Sequence, residues 1–131
     1  MHMTKICGLA VLALLAPCGL LFAHHGTAGF YDQTRKIRIE GVAKQFAWRN
    51  PHCGLFLISK DAAGNEVTYV LEMGSPNTLG RMGFTRNSIK PGDKVVAEVH
   101  VSFTNPAAGE AEARFVEVNG KLVATPGAVE E

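Results

Sequence analysis

The sequence predicts a mainly β protein: a five-stranded OB-like Greek-key barrel with a short helix between its third and fourth strands, preceded by a signal peptide. A small β-sandwich is the alternative. Three observations carry this expectation. Short apolar stretches recur with turn residues between them, as separate strands do. A capped helical segment follows the third stretch. The first stretch changes phase partway, as a long bent strand does.

That first strand begins in K-I-R-I-E-G-V-A-K-Q-F-A-W-R-N, from Lys36. Ile37 and Ile39 lie on one face, whereas Val42, Phe46 and Trp48 have the opposite parity, so an extra residue must intervene, and Glu40-Gly41 is where the spacing places it. The second strand follows Pro51 and carries a two-sided apolar run, Leu55 to Ile58. Asp61 to Asn65, D-A-A-G-N, is a hairpin turn, and E-V-T-Y-V-L-E-M returns as a third strand, Glu66 to Met73. These three strands form a meander.

In G-S-P-N-T-L-G-R-M-G, Ser75 is an N-cap, Pro76 a first helical residue and Gly83 a stop, which predicts a helix of about two turns. After the Pro91-Gly92 turn, the fourth strand runs from Val95 to Phe103. It alternates, with Val95, Ala97, Val99, Val101 and Phe103 on one face and Val96, Glu98, His100 and Ser102 on the other. Asn105 to Gly109 turns the chain, a fifth strand spans about Ala111 to Val118, and Asn119-Gly120 signals a two-residue hairpin before Lys121 to Val123.

The amino terminus differs in kind. Lys5 precedes an apolar run that ends at Ala23, the layout of a secretory signal peptide. The domain plan is therefore a signal at 1–23, a lead-in at 24–35, the barrel at 36–124 and a flexible tail at 125–131. The rival reading is a membrane anchor, because Ile6 to Ala23 is 18 residues long and a span needs roughly 17 to 25. Pro17, Gly19 and the abrupt polar switch favour cleavage after Ala23. A lipid attachment at Cys18 fits poorly, since Pro17 precedes it. Cleavage implies a periplasmic or secreted protein with no stable membrane span.

Composition narrows the functions. The chain has 13 basic and 12 acidic residues, and loss of Lys5 leaves the mature domain neutral. A neutral domain without a basic cluster argues against nucleic acid. Cys7 and Cys18 lie in the signal, so only Cys53 remains and no internal disulfide forms. Burial as a small hydrophobe is its expected fate, with a soft metal ligand or an intermolecular link as alternatives.

The seam F-A-H-H-G holds the most chemistry. Cleavage after Ala23 makes His24 the N-terminus, with an α-amine and an imidazole on one residue that can chelate a metal ion. A second imidazole must come from His25, His52 or His100, and copper and zinc suit such donors. Asp32 or Glu72 is then an oxygen ligand or an outer partner of a ligand. The competing view makes the pair a solvated end, since no H-E-x-x-H or C-x-x-C spacing fixes a site.

W-R-N-P-H, Trp48 to His52, also reads two ways. Trp48 capping the core, Asn50 bonding the backbone at a corner, Pro51 starting a strand and His52 capping the barrel is architecture. A strand junction bearing Arg49 and His52 is also where barrel loops take ligands. The helix start at Ser75 is mostly architecture, with Arg81 able to assist an anion there. Ser75 lacks a nucleophile elbow and a base, and nothing in the spacing aims Glu72 and Glu98 at one substrate.

With these blocks in view, the whole mature chain resembles a family of small exported bacterial proteins known chiefly as a domain of unknown function. The matching residues are His24-His25, Phe30, Asp32, E-G-V at Glu40 to Val42, W-R-N-P-H, E-M-G-S-P-N-T-L-G-R-M-G-F from Glu72 to Phe84, P-G-D-K-V from Pro91 and the late N-G-K-L. The resemblance implies a compact barrel-like domain and export, and brings no established activity. The chain departs from it at Cys53, where an apolar residue is more usual, at Phe84, where tryptophan is, and at His100, where a small residue is.

Two functions of different class follow. The first is an exported binding module holding copper or zinc through His24, His25 and His52. The second is an accessory module whose barrel face, with Trp48, Arg49, Asn50, Glu72 and Arg81, binds a small molecule, a glycan or a partner enzyme in the periplasm without metal. An enzyme ranks last, because no acid, base and nucleophile set is identifiable.

Overall fold

The computed structural model describes residues 29–127. The signal at 1–23, the cleavage point and both His24 and His25 lie outside the described residues.

Strands β1 (Tyr31–Ala47), β2 (Gly54–Lys60) and β3 (Glu66–Glu72) form the expected meander. A helix α1 (Pro76–Arg81), then β4 (Lys94–Ser102) and β5 (Ala108–Ala111) follow. The sheet order is β1-β2-β3-β5-β4, and β4 pairs back onto β1. That last pairing closes a five-stranded barrel and excludes the sandwich. β3 and β5 run parallel, while the other barrel pairs are antiparallel.

Closure explains why β1 is long. From Tyr31 to Val42 it pairs with β4, and from Val42 to Ala47 with β2, so one strand serves two sides of the barrel. It begins at Tyr31, within the stretch the sequence reads as lead-in. The phase change is real but sits later than Glu40-Gly41. Both of those residues keep register with β4, whereas Lys44 has no opposite residue on β2. The inward set is therefore Ile39 and Ala43 before the bulge, with Phe46 and Trp48 packed against the core after it. Val42 is exposed, on the opposite face from the one the sequence assigned. Gly41 has a separate role: a Cβ there would stand 2.5 Å from the Ile58 carbonyl oxygen, so only glycine lets β1 and β2 approach.

Helix α1 forms for the reasons its sequence states. Ser75 Oγ accepts from the Thr78 N–H at 3.1 Å, Pro76 opens the first turn, and Gly83 at φ 98° ends it. Leu79, Met82 and Phe84 are buried in the core with Leu55, Leu57, Leu71 and Val95. Each such side chain contributes about 2 kcal/mol by leaving water.

The fourth strand alternates through Val95, Ala97 and Val99, but Phe103 lies past its end and is 62% exposed. The fifth strand differs most. Ala111 to Val118 is not one strand: β5 starts at Ala108, a single 3-10 turn occupies Ala113–Phe115, and β6 (Glu117–Val118) pairs with β7 (Lys121–Leu122). The Asn119-Gly120 hairpin stands as expected, with φ of 50° and 83°. Among the described residues no helix is long and apolar enough to cross a membrane.

Candidate functional site

The loop between β1 and β2 is W-R-N-P-H-C, and its end is pinned to the end of β3. The Cys53 N–H donates to the Gly74 carbonyl at 3.0 Å, and the Met73 N–H to the Cys53 carbonyl at 2.9 Å. Cys53 itself is 1% exposed, and burial pushes its thiol up, the behaviour of a small core residue rather than a ligand.

Pinning Cys53 brings His52 beside Glu72. His52 Nδ1 lies 2.9 Å from Glu72 Oε1. A carboxylate can only accept, so it favours a proton on Nδ1; in the neutral ring of that tautomer Nε2 carries the lone pair. The second carboxylate oxygen, Oε2, accepts from the Tyr31 hydroxyl at 3.0 Å. Burial, the bond to Glu72 and the charges of Glu72 and Glu110 push the Tyr31 phenol up to about 12, so it stays a donor.

These groups border a cleft of about 470 Å³, lined also by Arg49, Asn50, Phe56 and Val70. The His52 side chain is 47% exposed there. The structure thus brings together Arg49, Asn50, His52 and Glu72 of the sequence-derived residues. It does not bring Trp48, which packs on the core with its ring edge-on to Phe46 at 5.8 Å. Arg81, in the exposed last turn of α1, lines neither this cleft nor the one described next. The Asn50-Pro51 peptide at the corner is cis.

A second cleft of about 710 Å³ lies over β4 and β5. His100 forms part of it and is 7% exposed. Its Nδ1 faces the Asp32 carbonyl at 3.2 Å and its Nε2 faces Glu112 Oε1 at 2.8 Å. Both nitrogens are engaged, so His100 has none left for a metal. Lys36 Nζ also reaches Glu112 Oε1 at 2.8 Å and stands over the Phe115 ring, 5.6 Å from its centroid. Burial alone raises the Glu112 carboxyl, but the bonds from Lys36 and His100 together hold it below its ordinary value.

Other candidates resolve into local structure. The Asp32 carboxylate accepts from the Thr34 N–H at 3.0 Å and the Thr34 hydroxyl at 2.6 Å, a turn of its own. Glu98 stands 3.8 Å from Lys36 and is bonded in a different cluster from Glu72. Among the described residues no group of three or more His, Cys, Asp or Glu side chains is gathered to hold a metal ion. His24 and His25 are not among those residues.

Sequence reasoning missed Tyr31. Its partner Glu72 is 41 residues away, and nothing in Y-D-Q-T announces the contact.

The comparisons bear out the resemblance seen in the sequence. A family model, described as a family of unknown function (DUF6152), matches residues 13–112. No curated protein matches the chain.

Proposed function

We propose that this chain, which belongs to the DUF6152 family of unknown function, is an exported binding module that holds a copper or zinc ion at His52, with His24 and His25 as further ligands. The observation that carries this reading is the Glu72–His52 pair. Metal-bound histidines characteristically donate their other ring N–H to a carboxylate, which fixes the tautomer and raises the basicity of the ligating nitrogen. His52 has that partner at 2.9 Å, and among the described residues its Nε2 makes no hydrogen bond.

Chain geometry supports the remaining ligands. Tyr31 docks on the same carboxylate, and His25 precedes it by six residues. Six residues reach about 20 Å when extended, so the terminal histidines are tethered within range of His52. A terminal amine, two or three imidazoles and no thiolate suit Cu(II) or Zn(II).

Intact-mass measurement of the exported protein, followed by metal titration of that sample, tests the reading. A mass for residues 24–131 and affinity tighter than about micromolar support it; affinity no better than about micromolar defeats it.

The second reading, an accessory module that binds a small molecule, a glycan or a partner enzyme without metal, has one observation in its favour. Arg49 and Asn50 share the cleft with the apolar Phe56 and with Val70, which is 45% exposed. Under that reading, replacement of His24 and His25 leaves binding intact and replacement of Arg49 removes it.

A further inference from the structure

The start of β1 departs from ordinary pairing. Between the pairs Tyr31–Ser102 and Lys36–His100, β1 has four residues where β4 has one. The surplus backbone, Asp32 to Arg35, forms a strap over the outer face of β4 and β5, and its anchors are specific. His100 Nδ1 donates to the Asp32 carbonyl at 3.2 Å, Gln33 Nε2 donates to Glu110 Oε2 at 3.0 Å, and the Tyr31 hydroxyl donates to Glu72 at 3.0 Å.

These anchors lie on one row of the barrel. His100 is the register partner of Glu110, Glu110 of Glu72, and Glu72 of Gly54, two residues beyond His52. The strap therefore spans the side chains that lead across the sheet to the His52 loop. Its first anchor is itself braced: His100 Nε2 faces Glu112, which Lys36 holds at 2.8 Å.

We infer that Gln33, Glu110 and His100 are positioning residues for His52, acting through the strap, Tyr31 and Glu72. Held by Gln33 and His100, the strap directs the Tyr31 hydroxyl at Glu72 Oε2. With Oε2 so engaged, the carboxylate plane is fixed and Oε1 is aimed at His52 Nδ1. The protein thereby selects the tautomer in which Nε2 is free to bind. Only the effect on metal affinity rests on the proposed function; the effect on the His52 ring does not.

The test is 15N NMR of the His52 ring in the exported, metal-free protein at pH 8, read beside metal titration. The wild type is expected to show the Nδ1-protonated tautomer. Gln33→Ala and Glu110→Ala shift the ring toward a tautomer mixture and weaken copper or zinc binding about tenfold. Glu110→Gln retains the wild-type pattern, because its side-chain carbonyl still accepts from Gln33. Gln33 is exposed, so its variant is expected to fold; circular dichroism checks this. An unchanged His52 ring in folded Gln33→Ala and Glu110→Ala, or a wild-type ring protonated at Nε2, overturns the inference. A wild type that binds no metal but shows the ring shifts overturns the metal reading and leaves the strap's role standing.

Discussion

The Tyr31 hydroxyl donates to Glu72 at 3.0 Å across 41 residues of chain, and the same carboxylate lies 2.9 Å from His52 Nδ1. One side chain from the start of β1, one from the end of β3 and one from the loop between β1 and β2 are thus joined at a single carboxylate. Removing the phenolic hydroxyl is the mildest way to disturb it. Tyr31→Phe is expected to lower stability by about 1 kcal/mol, one net hydrogen bond, in a urea titration.

Alkaline pH probes the same contact. The Tyr31 phenol titrates near 12 in the folded protein against 10.0 in its absence. A raised folded value means that its contribution is complete below about pH 10 and is lost as the pH climbs toward 12. Glu72→Gln removes the charge while leaving a carbonyl oxygen that can accept, and burial remains, so ultraviolet titration of the variant should show the high-titrating tyrosine moving only part of the way down.

At acid pH the Lys36–Glu112–His100 cluster governs. The Glu112 carboxyl is held low in the fold, so its contribution is present above the ordinary glutamate value near 4.5 and fades as pH falls below it. Lys36→Met removes the 2.8 Å partner while keeping an apolar stem over Phe115. Its acid-unfolding midpoint, followed by circular dichroism, should lie at higher pH than that of the wild type.

Two glycines should respond in opposite directions. Gly41→Ala forces a Cβ against the Ile58 carbonyl carbon and oxygen and should cost about 1–3 kcal/mol. Gly80 is exposed inside α1, and a methyl group added there would have open space for 4 Å around it, so Gly80→Ala should add about 0.5–1 kcal/mol. Thermal melts of the two variants decide both.

How far the sequence discloses this molecule depends on the range of each signal. Ser75, Pro76 and Gly83 define α1 because a cap, a first-turn proline and a positive φ act within a few residues. Asp61 to Asn65 and Asn119-Gly120 mark their turns for the same reason. The bend in β1 is legible as a phase change, but Val42 draws it too early. Its size suggests an inward position that the small Ala43 occupies instead. The break after β5 leaves no mark, since Ala113–Phe115 contains neither glycine nor proline.

The site divides likewise. Arg49, Asn50 and His52 lie in one contiguous motif and Glu72 heads another, so the sequence exposes them as candidates, though not their meeting. That meeting depends on backbone bonds between Cys53 and residues 73 and 74, and on Tyr31 arriving from the far end of β1. Trp48 and Arg81 belong to the same motifs by spacing and not to the same cleft, because Trp48 packs on the core and Arg81 sits in the exposed last turn of α1.

The most direct measurement is calorimetric titration of the exported protein, its His52→Ala variant and its Glu72→Gln variant with copper and with zinc. The wild type is expected to bind tightly, Glu72→Gln, which loses the carboxylate charge behind the ring, about 10–100-fold more weakly, and His52→Ala more weakly still. Metal binding by His52→Ala as tight as that of the wild type would contradict the proposed metal site.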